Sequence, residues 1–518
     1  MNSKIYILFY FLSVLQATVH NVPGDFGTIQ LAIVNAASGD TVLVADGTYS
    51  GSGNKDIDFY GKSLYLKSQN GYEHTTIDCE GDGRGFYFHL FEDSTSIVDG
   101  FTILSGHTGN SGEGGGIKID YSSPKIINTK VEGCYAPQGG GIYVGTQSMP
   151  IFENCILTGN GSGGSGTYVD QGGNGYIISG GLVMRNSIIE NGFADNTAGG
   201  LFFTGTDNPV TISNCEFLSN HVQSTSYNYA GAIYFAGDSL SLDGCYFYNN
   251  SGYKRGGAIN MAGDDSWVKI TNSSFKNNYA SGSGGDGGAI YQENGTLIIS
   301  SSTFLNNYTY YNNSSSDGGT IYTSSNNAIL RIANTLIAKG NANRYGGIYF
   351  QGDSITIEHS TIVHNYFDNS GDYGSADVYV YGNSDSYLKN SIIDTYGKHS
   401  TAPDIIVENI YSSESSAQFI DHENDDYRLG VHSPAIGFGG PTDLTHDIIG
   451  NPRTNPTGSN PDAGCYENPL DTAMGVNTYL YVTSSGNDST GSGQESSPFG
   501  SIGFAINNAQ NTDTVIVG

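Results

Sequence analysis

The sequence predicts a parallel β-helix, all β except for a short capping helix near its beginning, wound in coils of about 29 residues. Composition is the first observation behind this. Glycine fills 74 of 518 positions, about twice the ordinary level of about 7 %. Charged residues make up only 14 %, against an ordinary quarter or so. Helix surfaces are built from Ala, Glu, Lys, Leu and Arg, whereas this chain is rich in Gly, Ser, Asn, Thr and Tyr. A mostly helical protein and a coiled coil are excluded.

The second observation is a pair of alternating signatures. One is a glycine pair or its near relative followed by an apolar residue: Gly115-Gly116-Ile117, Gly140-Gly141-Ile142, Gly199-Gly200-Leu201, Gly231-Ala232-Ile233, Gly257-Ala258-Ile259, Gly288-Ala289-Ile290, Gly319-Thr320-Ile321 and Gly347-Ile348. The other is a small residue, any residue, an apolar one, and Asn three further on, as in Phe217 with Asn220, Phe247 with Asn250, Phe275 with Asn278 and Phe304 with Asn307.

The third observation is regularity. The small residue opening the second signature is Cys155, Ser187, Cys215, Cys245, Ser273, Ser302, Thr335, Ser360 and Ser391, with a mean step of 29.5. Each unit holds only short β-prone runs such as Val268-Lys269-Ile270, and such a unit can bury its apolar side only by stacking on its neighbours. Parallel stacking roughly 4.8 Å apart lines Ile and Phe in internal columns. Asn, which tolerates the left-handed conformation and can bond to the Asn above, lines the bends. Propeller blades need repeats of about forty residues or more, and leucine-rich repeats need a Leu pattern absent here.

The ends are read next. Lys4, the apolar run from Ile5 to Leu15 and the small Ala17 read as a secretion signal over residues 1–17. That run is too short to span a bilayer, and no later stretch is apolar enough. Phe26-Gly27-Thr28-Ile29-Gln30-Leu31-Ala32-Ile33, followed by Asp40-Thr41-Val42-Leu43-Val44, reads as a capping helix leading into the first strand. The pattern recurs without a gap 473 residues later, from Phe499 to Ile506 and from Asp513 to Val517. The expected organisation is a β-helix over 22–424, a closing segment over 425–467, a linker over 468–478, and over 479–518 the truncated start of a second β-helix from a longer tandem protein.

The six cysteines, Cys79, Cys134, Cys155, Cys215, Cys245 and Cys465, form no CxxC pair and no zinc pattern. Three alternate with Ser and Thr in the repeat. Stacked free thiols are expected there, with a Cys215–Cys245 disulfide as the alternative. A formal charge of −30 repels phosphate backbones, so nucleic acid is excluded as a partner.

Pro23-Gly24-Asp25-Phe26 with Thr28-Ile29-Gln30 and Asp40-Thr41-Val42-Leu43-Val44 resembles the start of secreted pectin-lyase-like right-handed β-helix proteins. The Gly-Gly-Ala-Ile and Phe-x-x-Asn pairs resemble the repeats of polymorphic outer-membrane proteins, a family of bacterial surface adhesins. Asp426-Tyr427-Arg428-Leu429, Ser433-Pro434-Ala435-Ile436, Gly450-Asn451-Pro452-Arg453 and the run Pro461 to Glu467 resemble the closing motifs of choice-of-anchor β-helix proteins. Gly437 stands where that family usually places Asp, and no autotransporter barrel is present. These resemblances cover about 25–467. They imply right-handed coiling and a bacterial surface location, and little about activity, because such folds host lyases, hydrolases, epimerases and non-catalytic binders.

In a β-helix, residues one repeat apart become neighbours, so chemistry is sought in columns. Arg255, Asp286 and Asp317 precede three consecutive glycine pairs, with Tyr345 expected next. Two stacked carboxylates could bind Ca²⁺, raise one another's pKa or form a glycosidase pair, and Arg255 could grip or deprotonate a uronate. The competing reading is a salt-bridged ladder on a surface turn. Asp264-Asp265 superficially resembles the paired Asp of pectin-hydrolysing β-helices, whose other motifs are missing nearby; Asn511-Thr512-Asp513 lies far away in the second cap. The run Asp421 to Asp426 reads as a solvated acidic loop, and His107, His221, His359 and His364 as surface or turn residues. The cluster Tyr308-Thr309-Tyr310-Tyr311 reads as a lateral ladder or a sugar-binding surface. The irregular stretch from Gly159 to Gly180, with Tyr168 and Asp170, is the one visible cleft-wall insertion.

Together these readings describe an exported, monomeric β-helix at the bacterial cell surface, a non-catalytic adhesive or glycan-binding stalk. Its expected partner is an extracellular polysaccharide or a host or neighbouring cell surface. It requires no cofactor, with Ca²⁺ the one ion in view. The alternative is a polysaccharide lyase or glycoside hydrolase acting on acidic polysaccharide through Arg255, Asp286 and Asp317.

Overall fold

A computed structural model describes residues 17–163, 170–222, 229–282, 284–310, 316–367, 376–382, 385–412, 417–474, 479–509 and 513–518. The stretch 1–17 read as a secretion signal lies outside them apart from residue 17.

The chain is an all-β parallel solenoid. Each coil crosses three long sheets and, from residue 161 onward, a fourth short one. In the order a coil meets them, the first sheet has 15 strands, from Val19–Val22 to Ile406–Glu408, and the second has 13, from Gly47–Tyr49 to Ile392–Ile393. The third has 8, from Gly161–Ser162 to Tyr366–Phe367, and the fourth 13, from Ile57–Asp58 to Tyr396–Lys398. Pairing within these four sheets is parallel and in register: Phe217 faces Phe247, Phe247 faces Phe275, and Phe275 faces Phe304.

The register turns sequence columns into cores. The rings of Phe217, Phe247, Phe275 and Phe304 stack at 4.6, 4.4 and 4.6 Å, within 6° of parallel. Inward Ile, Leu and Val of the first and fourth sheets complete one continuous apolar interior. Corners carry the polar columns. After the second sheet, Asn220, Asn250, Asn278 and Asn307 are wholly buried, and each amide donates to the next at 3.0, 2.9 and 3.0 Å. The left-handed conformation falls on the residue before each, Ser219, Asn249, Asn277 and Asn306. Two neighbouring residues therefore divide the duties that the sequence reading assigned to one.

The small-residue column between the first and second sheets has a sharper requirement than size. The Ser187 hydroxyl accepts the Cys155 amide at 3.0 Å and donates to the Arg185 carbonyl at 2.9 Å. Ser273 does the same for Cys245 and Thr271, and the Ser360 and Ser391 hydroxyls accept the amides of Thr335 and Ser360. Ser, Thr and Cys interchange here because each is small and can donate and accept at one atom. All six cysteines are free and buried, so no disulfide joins Cys215 to Cys245.

Helix α1 (Ile29–Asn35) covers the first coil. Thr28 caps it by accepting the Leu31 amide, and Ile29, Ala32 and Ile33 face the core. At the other end, Ile405 and Ile410 pack on the last coil. Residues 417–470 then return along the outside of the second sheet, burying Leu336, Ala338, Val363 and Ile392 together with Tyr427, Leu429 and Cys465. Asp425 bonds Lys339 at 2.7 Å and Lys276 at 3.2 Å. Arg453 inserts between His359 and Glu467, 2.7 Å from each. A second β-α-β unit, Tyr479–Val482, α2 (Ile502–Asn508) and Thr514–Val517, follows. Among the described residues no helix is long and apolar enough to cross a membrane.

Candidate functional site

The wall between the third and fourth sheets carries the polar column. Coils re-enter the fourth sheet through one polar residue, a residue in the left-handed conformation that is glycine or, at Ala198, Ala230 and Tyr345, its replacement, and a further glycine. Thr197, Tyr229, Arg255 and Asp286 form successive parallel bridges there, and Asp317 bridges Arg344. Asp286 and Asp317 join the two runs, because the Asp317 amide donates to Asp286 Oδ1 at 2.9 Å. Arg255, Asp286 and Asp317 therefore stand on consecutive coils. The residue after them is Arg344, not Tyr345. In that coil Tyr345 takes the place of the first glycine, in the same left-handed conformation as Gly318, so counting back from its glycine pair is off by one.

Charges in the column are paired differently from a simple Arg–Asp–Asp ladder. Arg344 holds Asp317 with two bonds, Nε to Oδ1 at 2.7 Å and Nη2 to Oδ2 at 2.6 Å. Arg255 bonds Glu293 at 3.1 Å and lies over the rings of Tyr229 and Tyr291, 4.7 and 4.8 Å from their centroids. Burial pushes the Asp286 carboxyl up to about 7; the hydrogen bond from the Asp317 amide opposes this most, the Asp317 charge adds to it, and Arg255 and Arg344 oppose it further. Burial also lifts Asp317 above its ordinary value, held back by Arg344. With both Asp317 oxygens on Arg344 and one Asp286 oxygen on an amide, a Ca²⁺ ion between them would have to displace that arginine. Among the described residues no three His, Cys, Asp or Glu side chains are grouped to hold a metal.

Two aromatic ladders flank this column, and the sequence search, directed at charged columns, missed the longer one. On the outward side of the fourth sheet Tyr143, Tyr176, Phe202 and Tyr234 stack at 5.7, 5.0 and 4.8 Å. Tyr291, Tyr322 and Tyr349 continue at 5.2 and 4.8 Å. Asn260 interrupts the file between Tyr234 and Tyr291, and Arg255 stacks on Tyr291 beside that gap. At the other end Lys118 lies between Tyr87 and Tyr143, 5.4 and 5.5 Å from their centroids. The signal was legible one residue beyond the glycine signature, in Gly-Ile-Tyr at Tyr143 and Ala-Ile-Tyr at Tyr234 and Tyr291. On the third sheet Tyr279 stacks on Tyr308 at 5.1 Å, and Phe193 on His221 at 6.3 Å. Tyr310 is exposed; Tyr311 lies outside the described residues.

The arrangement is a lengthwise strip of carboxyl, guanidinium and amide edges between two rows of rings. Asp317, Asn260, Tyr176, Phe202, Tyr291 and Tyr349 are buried in it. The half-buried Arg255, Asp286, Arg344, Tyr143, Tyr234 and Tyr322 are the edges that can meet the hydroxyls of a chain laid along the axis, and Asp286 can carry a proton near neutrality.

Other flagged residues are placed elsewhere. Asp264 bonds Asn294 at an exposed turn at 2.6 Å. In the acidic run, Asp421 caps a short 3-10 turn while Asp425 fastens the returning segment to the wall. His107 stacks on Tyr135, and His364 packs against His422. His359, read as a surface or turn residue, is at a turn but wholly buried; burial and neighbouring Arg453 push it down to about 3. In the irregular stretch Asp170 is buried and Tyr168 lies outside the described residues, as do Asn511 and Thr512.

A family model described as right-handed β-helix region matches residues 115–331 and, overlapping them, 199–393. No curated protein matches the chain in sequence. Among solved structures the chain is similar to pectate lyase Pel9A, with 13 % identity over 88 % of this chain and 97 % of that one and a TM-score of 0.33. It is also similar to the A-module of the Azotobacter vinelandii mannuronan C-5 epimerase AlgE6, with 12 % identity over 76 % and 99 % and a TM-score of 0.36. A rhamnogalacturonan lyase matches at 12 % identity over 78 % and 91 %, with a TM-score of 0.26.

Proposed function

The chain belongs to the right-handed β-helix region family, and on that premise we propose that it is an exported bacterial surface protein that binds glycan along its wall without turning it over. The observation that carries this reading is the charged column lying lengthwise between two aromatic ladders, its charges largely cancelled within it. Arg344 is committed to Asp317, and Arg255 to Glu293 and two rings. Such a strip suits a long polyhydroxylated partner, which it meets with fixed hydrogen-bonding edges and the rims of rings. The secretion signal and the resemblance to surface-adhesin repeats support display outside the cell.

Asp286 favours a second reading. A carboxyl raised to about 7 is suited to general acid–base work, which would make the protein a lyase or hydrolase of acidic polysaccharide.

The deciding experiment presents purified protein with acidic and neutral polysaccharides, with and without Ca²⁺, following reducing ends, unsaturated uronate absorbance and retention on immobilised glycan. Retention without turnover, weakened in Arg255→Ala, is the expected result. Turnover abolished by Asp286→Ala or Asp317→Ala would replace the first reading by the second.

A further inference from the structure

The chain contains two β-α-β units of the same design, and they are stabilised differently. In the first, Asp40 stands just ahead of the strand Thr41–Val44. Its carboxylate accepts from the amides of Thr18 and Ala37 at 2.8 Å each and lies 2.9 Å from His20 Nε2, all within the unit. Asp513 holds the same place ahead of Thr514–Val517. The registers put Leu480 opposite Val515 where His20 stands opposite Val42, so the second unit has no histidine of its own there.

The histidine comes from the returning segment. His432 Nε2 lies 2.6 Å from Asp513 Oδ2, and its Nδ1 is 2.9 Å from the Met474 carbonyl. The two side chains are 3 % and 0 % exposed. Leu480, Val482, Phe499 and Ala505 share one buried cluster with Leu429, Val431 and Met474. In the first unit the helix instead faces its own solenoid through Ile29, Ala32 and Ile33. A two-stranded sheet with one short helix buries too little surface to stand alone.

We infer that residues 417–474 form a docking seat for the second β-α-β unit, residues 479–509 and 513–517, which keeps its fold only while seated. The seat supplies the histidine and the apolar floor that the first unit carries within itself. The first unit is no competing occupant, because Asp40 is already clasped by His20. The second β-α-β unit is thus held to the returning segment through a specific interface.

Hydrogen exchange on the full chain tests this, comparing wild type with His432→Ala and Asp513→Asn. Both variants should lower amide protection in Tyr479–Val482 and α2 by at least about tenfold and leave the strands between residues 117 and 393 unchanged. Asp40→Asn should loosen only the first unit. Unchanged protection of 479–509 in both seat variants would show a self-supporting unit and overturn the proposal. Equal loss across the whole solenoid would also overturn it, since His432 would then serve the main fold.

Discussion

The buried asparagines of the corner column are tolerated because each is answered by its counterpart one coil away. Asn250 shows the economy. Its carbonyl accepts the backbone and side-chain amides of Asn220, and its amide donates to Phe217 O and Asn278. Asp286 differs, a carboxyl whose burial is only partly offset. Its raised pKa has a sign that can be checked. The folded state holds the proton up to about 7, whereas the unfolded chain releases it near an ordinary Asp value of about 3.9. Between those values the folded state binds more protons, so this contribution is fully present below the unfolded value and is lost as pH rises through about 7. Asp286→Asn removes the titration. Relative to the variant, the wild type should lose on the order of 1–4 kcal/mol between pH 4 and pH 8, read from the two unfolding curves. Parallel pH profiles would show that Asp286 ionises normally.

The element that most limits substitution is the glycine pair entering the fourth sheet. Gly287 adopts φ +68°, which L side chains rarely take, and Gly288 fails for a different reason: a Cβ there would lie 2.1 Å from the Gly319 carbonyl oxygen and 2.5 Å from the Tyr308 amide nitrogen. Those atoms are both backbone of the next coil, and cannot yield without parting the coils. Gly288→Ala should therefore cost on the order of 1–3 kcal/mol, with exchange protection lost first in Ile290–Gln292 and Ile321–Thr323. A neutral thermal shift would show that the coils can separate at this corner. The same crowding explains why the glycine signature was readable from sequence alone. The ladder residue beside it was overlooked because Tyr143, Phe202 and Tyr234 look like ordinary strand aromatics until the register stacks them.

At the scale of the molecule, the returning segment is held to the wall by Arg453, whose buried charge is answered within the segment by Glu467. The side chains of Arg453 and Glu467 are both 0 % exposed, and Arg453 also bonds His359 and Asn334, tying the segment to two coils. Removing one partner of such a pair leaves the other charge buried, at a cost of about 3–5 kcal/mol. Arg453→Met should therefore make residues 417–470 sensitive to limited proteolysis at temperatures where coils 115–393 resist it. Cleavage at the wild-type rate would mean that the apolar contacts of Leu429, Tyr427 and Cys465 suffice. The winding itself, including the capping helix and the stacked free thiols, was legible in the sequence because neighbours in space lie one repeat apart along the chain. The column was legible for the same reason, and it slipped only where Tyr345 replaced a glycine and hid Arg344.

The sequence by itself determined the coil, its period, its inward columns and the recurrence of its opening turn, since each depends on local pattern and stacking. Tertiary structure alone decided which charges pair, where residues 417–470 lie, and which histidine meets Asp513. Contacts such as Arg255–Glu293, His432–Asp513 and Arg453–Asn334 join residues 38 to 119 positions apart with no shared period, so their partners are chosen by the shape of the assembled wall.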